Sequence, residues 1–270
     1  TRGKNIIVPV HFAGIPVDVQ HIESFIKDQE TVIIEDAAHA FGSFYKDGSK
    51  VGSCAFSQIT CFSFHPSKTI TTGEGGMCTT NSEMLYKRLL YYRNNGIERE
   101  QSLFKGKEKG PWSYEVNCLT GNFFMNEMQA ALGLSQLARA SSFIDKRKKL
   151  VARYHELLSG KEGIELLTQG GNHNIAWHIM VTQIDFAHFN TDRSSVMEEL
   201  NQKGIGSQVH YIPLYRHPFF VNKRGDISGY FPEMETYYSR ALTLPLYYDL
   251  ELSDVDMIVD ALMDILIRKP

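Results

Sequence analysis

Three short runs constrain this chain more than anything else in it: IIVPV (6–10), TVIIED (31–36) and ITCFSF (59–64). Each is almost continuously apolar and too short for a helix, which fits strands covered on both faces inside a parallel sheet rather than strands with one wet face. GGMCTT (75–80) adds a fourth strand. Between the first two runs, residues 18–30 place Val19, Ile22 and Ile26 at helical spacing. After the fourth, residues 81–96 read as a helix with Asn81 or Ser82 as N-cap, Glu83 in the first turn and Asn95-Gly96 as a stop. Strand and helix in alternation give an α/β class with a large mixed or parallel sheet.

The second half changes character. Residues 97–118 are polar and contain glycine, and no element is assigned to them. From 126 to 159 there is no proline, and Leu137, Ile144, Val151 and Leu158 recur seven apart, which predicts one very long helix able to bridge two domains. Beyond Gly160 comes a smaller α/β unit. Residues 176–186 read as a strand, 191–204 as a helix capped by Thr191 and stopped by Gly204, 206–211 as a strand, and Ser253 to Ile267 as a last helix. The expected boundary lies near 148–160, giving a larger domain over 1–150 and a smaller C-terminal one over 151–270.

Composition narrows the partners. At 270 residues and 43% hydrophobic the chain can bury a sizeable core, and a net charge of −3, with both signs mixed, provides no basic stripe for nucleic acid. No apolar run approaches a membrane span and no leader-like segment opens the sequence, so a cytoplasmic protein is expected. Its four cysteines form no CxxC pair and read as buried thiols in a reducing compartment, not as a disulfide or zinc framework. Thr1-Arg-Gly-Lys runs directly into a strand that reads as buried, so covering elements are expected ahead of it and the chain reads as lacking an N-terminal portion.

Two residues fall beyond the carboxyl ends of strands, where open α/β sheets hold ligands. Asp36 ends TVIIED, and Lys68 follows ITCFSF. Singly, the aspartate suits a helix cap and the lysine a solvated turn. Together they are the minimum that pyridoxal phosphate requires: an amine able to form a Schiff base, and a carboxylate to keep a pyridine nitrogen protonated. His39, three residues on, would share the aspartate's side of a helix start and reach a ring hydroxyl, or else be satisfied by the backbone. Ser63 could donate to a phosphate or bond the strand end. The GEGG run (73–76) suits positive φ and close backbone approach.

EDAAHAFGS (35–43), SFHPSKTITTGEGG (63–76), GNFFMNEMQAALGLSQL (121–137), VHYIPLY (209–215) and LPLY (244–247) together resemble the DegT/DnrJ/StrS family of sugar-nucleotide aminotransferases. The resemblance implies a pyridoxal-phosphate enzyme of fold type I, similar to aspartate aminotransferase, with the flavour of enzymes that aminate a UDP-4-keto-6-deoxy sugar toward pseudaminic acid. It implies ping-pong transfer of an amino group from a donor such as glutamate to a nucleotide-linked keto sugar. By the same resemblance Lys68 carries the Schiff base, Asp36 partners the pyridinium nitrogen, Ala38 packs on the ring, His39 approaches its hydroxyl and Ser63 binds phosphate. Asn122 would reach the phosphate of a neighbouring subunit, implying a homodimer with shared sites, and His210 and Tyr211 would face substrate. The chain departs from the pattern at Phe124, where the family usually has arginine. Family members also carry a segment ahead of Thr1 that supplies phosphate-binding and ring-stacking residues, at the kind of helix N-terminus that favours anions.

Three other readings remain. A sugar dehydratase branch of the same family has histidine where Lys68 stands. A sugar-nucleotide binding or regulatory module would need no cofactor. A metal hydrolase built on Asp36 and His39 lacks a third ligand at recognisable spacing, so no metal is expected.

Overall fold

The apolar runs pair as one sheet. In the computed structural model, which describes residues 5–26, 30–107, 110–167 and 175–267, β1 (Ile6–Ile7), β2 (Val32–Asp36), β3 (Ile59–Ser63) and β4 (Gly76–Thr79) lie side by side in that order. The first three are parallel and β4 returns antiparallel. The register sets Asp36 opposite Cys61 and Cys61 opposite Cys78, so these three stand in a row on one face, with Glu35, Thr60 and Thr79 in a row on the other. The chain falls into two compact units, Thr1–Ser141 and Ser142–Pro270.

In the first unit α1 (Val19–Ser24) is capped by Asp18, whose carboxylate accepts from His21 N at 3.0 Å. Its Val19 packs with Ile33, Ala37, Ala40, Tyr45 and Val51 in a small buried cluster. α2 (Glu83–Arg93) begins as its sequence predicts: Ser82 Oγ accepts from Leu85 N, with Glu83 in the first turn and Arg93 in the last. Asn95 and Gly96 end it with φ of 54° and 66°, and a Cβ on Gly96 would lie 2.3 Å from Cys118 O, so only glycine fits there. Within 97–118, β5 (Ile97–Glu98) and β6 (Glu115–Val116) pair antiparallel.

Several expectations are corrected here. IIVPV is not a full buried strand: the ladder breaks after Ile7 and resumes only as a single bridge from Val10 to Asp36, Pro9 has no N–H to give a ladder, and Ile6, Val8 and Val10 are exposed at the sheet's edge. β4 likewise has a wet surface over Gly76–Cys78. Cys54 is buried, but Cys61 and Cys118 are half-buried and Cys78 is exposed, so the thiols are not uniformly in the core.

α3 (Glu127–Leu158) is a single 32-residue helix that contributes to both units. In the second unit β7 (Ile164–Leu166), β8 (Met180–Ile184) and β9 (Ala241–Leu244) form an antiparallel sheet in that order. α4 (Arg193–Gln202) is capped by Asp192, which accepts from Ser194 N and Ser195 N, and not by Thr191 as expected. Gly204, φ 77°, follows its end. α5 (Pro218–Arg224) and α6 (Pro232–Arg240) both start on proline, whose fixed φ suits a first turn. α7 (Leu252–Ile267) buries Val255, Ile258, Val259, Leu262, Ile265 and Leu266 against Leu150, Tyr154, Leu158, Leu200 and Leu242. Each such side chain contributes about 1.5–3 kcal/mol when fully buried. Residues 206–211 do not make a strand. Gln208 alone bridges Thr243, and the next free carbonyl, that of His210, is taken by Tyr237 Oη at 2.6 Å instead of a ladder partner.

Candidate active site

β2 and β3 run parallel, so their carboxyl ends open at one edge of the sheet. Asp36 closes β2 there. Its backbone is held twice, donating to Pro9 O at 2.9 Å and accepting from His11 N at 3.0 Å. Its Oδ1 accepts from Ala38 N at 3.0 Å, and among the described residues no protein donor reaches Oδ2. One carboxylate oxygen is therefore anchored and the other is open to a ligand.

Lys68 sits on the loop from β3 to β4, its backbone N bonded to His65 O at 2.9 Å. Burial lowers the pKa of its amine, and the Asp36 carboxylate opposes that shift. The two side chains thus feel each other across the strand ends. A partly desolvated amine beside a carboxylate is what attack on a carbonyl carbon requires.

The loop behind Lys68 is tied by its own polar groups. Phe64 N donates to Gly75 O at 2.8 Å, Thr71 Oγ1 to Phe64 O at 3.0 Å, and Thr72 Oγ1 to Glu74 O at 2.7 Å. Gln129 Nε2 from α3 adds a bond to Glu74 O at 3.0 Å. Gly75 has φ 153°, and a Cβ there would meet Thr72 Oγ1 at 2.4 Å. Gly75 and Gly76 therefore serve close packing within the turn, whereas Gly73, with open space around it and φ 79°, serves its left-handed bend.

His39 is buried, yet no helix starts there: Ala40 N donates to Ala37 O in a turn, so the expected helical alignment with Asp36 is replaced. Its Nδ1 accepts from Ala13 N at 3.4 Å, which leaves the ring proton on Nε2. Ser63 Oγ accepts from His65 N at 3.3 Å and still carries a hydrogen to donate.

On the other face of β2, Glu35 is 1% exposed. Its carboxylate accepts from His11 Nε2 at 2.7 Å, Thr60 Oγ1 at 2.9 Å, Tyr45 Oη and Ser57 Oγ. Val17 N donates to His11 Nδ1 at 2.9 Å, so the imidazole proton is on the nitrogen facing Glu35. Burial pushes the Glu35 carboxyl up, but the hydrogen bonds from His11, Ser57 and Tyr45 outweigh it and the net shift is downward. Burial and then the carboxylate hold the Tyr45 phenol well above its ordinary value. This network ties four side chains, from three stretches of the chain, to the residue beside Asp36. Its only sequence signal was an acidic residue inside an apolar strand, which has to find donors if buried.

The DegT/DnrJ/EryC1/StrS aminotransferase family model matches residues 1–263. The chain belongs to this family. An uncharacterized protein of Methanocaldococcus jannaschii is 35% identical over 265 residues, 98% of this chain and 68% of the relative. The spore coat polysaccharide biosynthesis protein SpsC of Bacillus subtilis is 34% identical over 268 residues, 98% and 67% respectively. Among solved structures, Helicobacter pylori PseC, an aminotransferase involved in the biosynthesis of pseudoaminic acid, superposes with TM-score 0.86 at 28% identity over 97% of this chain and 67% of that one. The PLP form of Streptococcus pneumoniae Spr1654 gives 0.84 at 28% identity over 97% and 68%. The chain thus spans about two thirds of the length of these relatives.

As a DegT/DnrJ/EryC1/StrS member the chain is a pyridoxal-phosphate-dependent aminotransferase of fold type I. Its residues fit the cofactor on their own chemistry: a half-desolvated amine at Lys68, an open carboxylate oxygen on Asp36, and hydroxyls around a tight turn. Asn122 is exposed, bridges Asn94 and accepts from Phe124 N at 3.2 Å. Phe124 stands where the family usually has arginine, and the Arg93 guanidinium lies 5.1 Å from its ring centre. A cation therefore packs on this motif from the end of α2, a contact hidden in the sequence because the two residues are far apart in it. His210 and Tyr211 lie in the second unit, where His210 Nδ1 is 2.8 Å from Thr243 Oγ1 and Tyr211 is half exposed. Among the described residues no group of three or more His, Cys, Asp or Glu could hold a metal, and no helix is long and apolar enough to cross a membrane.

Proposed function

We propose that the chain transfers an amino group from glutamate to a nucleotide-linked keto-deoxy sugar, with Lys68 and Asp36 at the reacting centre. The electrostatic coupling of these two side chains at the strand ends carries the reading. Relatives named for polysaccharide and pseudoaminic acid biosynthesis support a sugar acceptor. Pyridoxal phosphate, when bound, supplies a carbonyl carbon to receive the amine and a ring that stores electrons.

In this reading Asp36 Oδ2 would hold a proton on the ring nitrogen, with the carboxylate steadied through Oδ1 by Ala38 N. Lys68 would supply the amine and, when that amine is free, its Nζ would accept and return a proton at the substrate carbon. Ala38 would pack on the ring, His39 could offer Nε2–H to its hydroxyl and Ser63 could donate to phosphate. The Glu35 network keeps β2 from shifting under Asp36. Asn122 serves the site of a second copy, and His210 and Tyr211 contact the sugar nucleotide. The wide apolar exposure of the first unit supports a homodimer: Leu119 is 97% exposed, and Phe123, Met128 and Leu134 are also open.

The test is an assay of the protein with pyridoxal phosphate, glutamate and a panel of nucleotide-linked keto sugars. Stoichiometric 2-oxoglutarate and amino sugar are expected with at least one acceptor. Loss of water from the sugar without glutamate turnover would instead establish the dehydratase chemistry.

A further inference from the structure

Cys61 and Cys78 take no part in the chemistry described, yet their sulfurs are 3.7 Å apart. They are directly opposed on antiparallel strands β3 and β4. Hydrogen-bonded and non-bonded pairs alternate along such a ladder. Phe64 N donates to Gly75 O, so 64/75 is a bonded pair and, stepping down the ladder, 63/76 and 61/78 belong to the kinds that alternate with it: 62/77 is bonded, 61/78 is not. Non-bonded pairs bring Cα atoms to about 4.5 Å, inside the window a disulfide spans without backbone movement.

The remaining thiols do not compete. Cys54 lies on the opposite side of the sheet, with Sγ 3.4 Å from Thr60 Oγ1 and 3.2 Å from Thr79 O. Cys118 packs at Gly96, at the end of α2. Of the pair, Cys78 is exposed and Cys61 half-buried, and either thiol can donate across the contact; with Cys61 as donor, the Cys78 pKa is drawn down to about 7 and that of Cys61 is raised. The attacking thiolate is thus the accessible one, and the resolving thiol is already in contact with it.

We propose that Cys61 and Cys78 are a dithiol modification site that a low-molecular-weight disulfide oxidises to an internal disulfide, stapling the base of the loop that carries Lys68. The Cys78 thiolate attacks one sulfur of the reagent and expels a thiolate. Cys61 then loses its proton, attacks the Cys78 sulfur of the mixed disulfide and expels the second thiolate. Two protein thiols are oxidised by two electrons, and one reagent disulfide is reduced to two thiols. The crosslink closes β3 onto β4 on both sides of residues 64–75, in the row that contains Asp36. The pairing itself does not depend on the role assigned to Lys68.

The test incubates the protein with oxidised glutathione, alkylates the remaining thiols, and maps tryptic peptides without reduction. Cleavage after Lys50, Lys68 and Lys87 puts Cys61 and Cys78 in separate peptides, 51–68 and 69–87. These are expected to appear joined, two hydrogens lighter than their sum, in the native protein and in C54S, and to separate in C61S and C78S. Acylation of Lys68 by a succinimidyl ester is expected to slow on oxidation of the native protein and of C54S but not of C78S, whose exposed position tolerates serine. Glutathione left on Cys78 with Cys61 alkylated, or a link through Cys54, would overturn the assignment. A joined pair with unchanged Lys68 acylation would overturn the staple.

Discussion

The two units bury their side chains in opposite ways. Ser142–Pro270 closes on an apolar core in which Leu150, Tyr154, Leu158, Leu200 and Leu262 are fully buried. Among the described residues, Thr1–Ser141 packs a small apolar cluster, buries a carboxylate at Glu35, and leaves Trp112, Leu119 and Met128 open to solvent. α3 passes through both regimes: Leu134 and Leu137 near its start are exposed, and Val151 and Leu158 near its end are buried. One unit closes on an apolar core, and the other carries a polar site and the surface proposed for association.

The largest expected effect separates chemistry from folding. Lys68→Ala should lower amino transfer by at least about 10²–10⁴-fold, the range for loss of a positioned proton carrier, with no change in melting temperature. Leu158→Ala or Leu262→Ala should do the reverse, costing about 2–5 kcal/mol in denaturant unfolding because each empties a fully buried site. If either leucine variant melts like the native protein, the contrast between the units fails.

Glu35 gives the next effect, and it depends on pH. Its folded pKa is lowered, so the unfolded chain binds more protons near the ordinary value of 4.5. The stabilisation is complete above that value and is lost as pH falls through the lower folded value. Glu35→Gln keeps the shape, and the Tyr45, Ser57 and Thr60 hydroxyls can turn to accept from its amide. A loss of about 1–3 kcal/mol is expected at pH 7. Below pH 4.5 the stability of the native protein should fall more steeply than that of the variant, as read from urea midpoints across pH.

Leu134→Asp should have the smallest effect on folding, within about 0.5 kcal/mol, since the side chain is exposed. It should nonetheless weaken self-association in sedimentation equilibrium. An unchanged association constant would remove α3 from the proposed dimer surface.

Much of this was legible in the sequence because local chemistry decided it. Ser82, Glu83 and Gly96 bracket α2 with cap, charge and positive φ, none of which needs a tertiary partner. Asp36 and Lys68 could be placed at one edge because parallel strands share their carboxyl ends. The failures came where a long-range bond decided the outcome. Asp192 and Thr191 are both good caps, and only the position of the first turn selects between them. Residues 206–211 alternate like a strand, but Tyr237 takes the carbonyl that a ladder would need. The donors around Glu35, the cation Arg93 beside Phe124, and the opposed Cys61 and Cys78 each join residues that register and packing bring together across the chain.

The central claim is that the chemistry rests on Lys68, at the strand ends beside Asp36. Treating the protein with pyridoxal phosphate and borohydride and mapping its peptides tests it most directly. The pyridoxyl group should be found on Lys68 alone, blocking tryptic cleavage there so that residues 51–87 emerge as one peptide, and Asp36→Asn should reduce the yield. Stable labelling of a different lysine, with Lys68 still cleaved, would contradict the account.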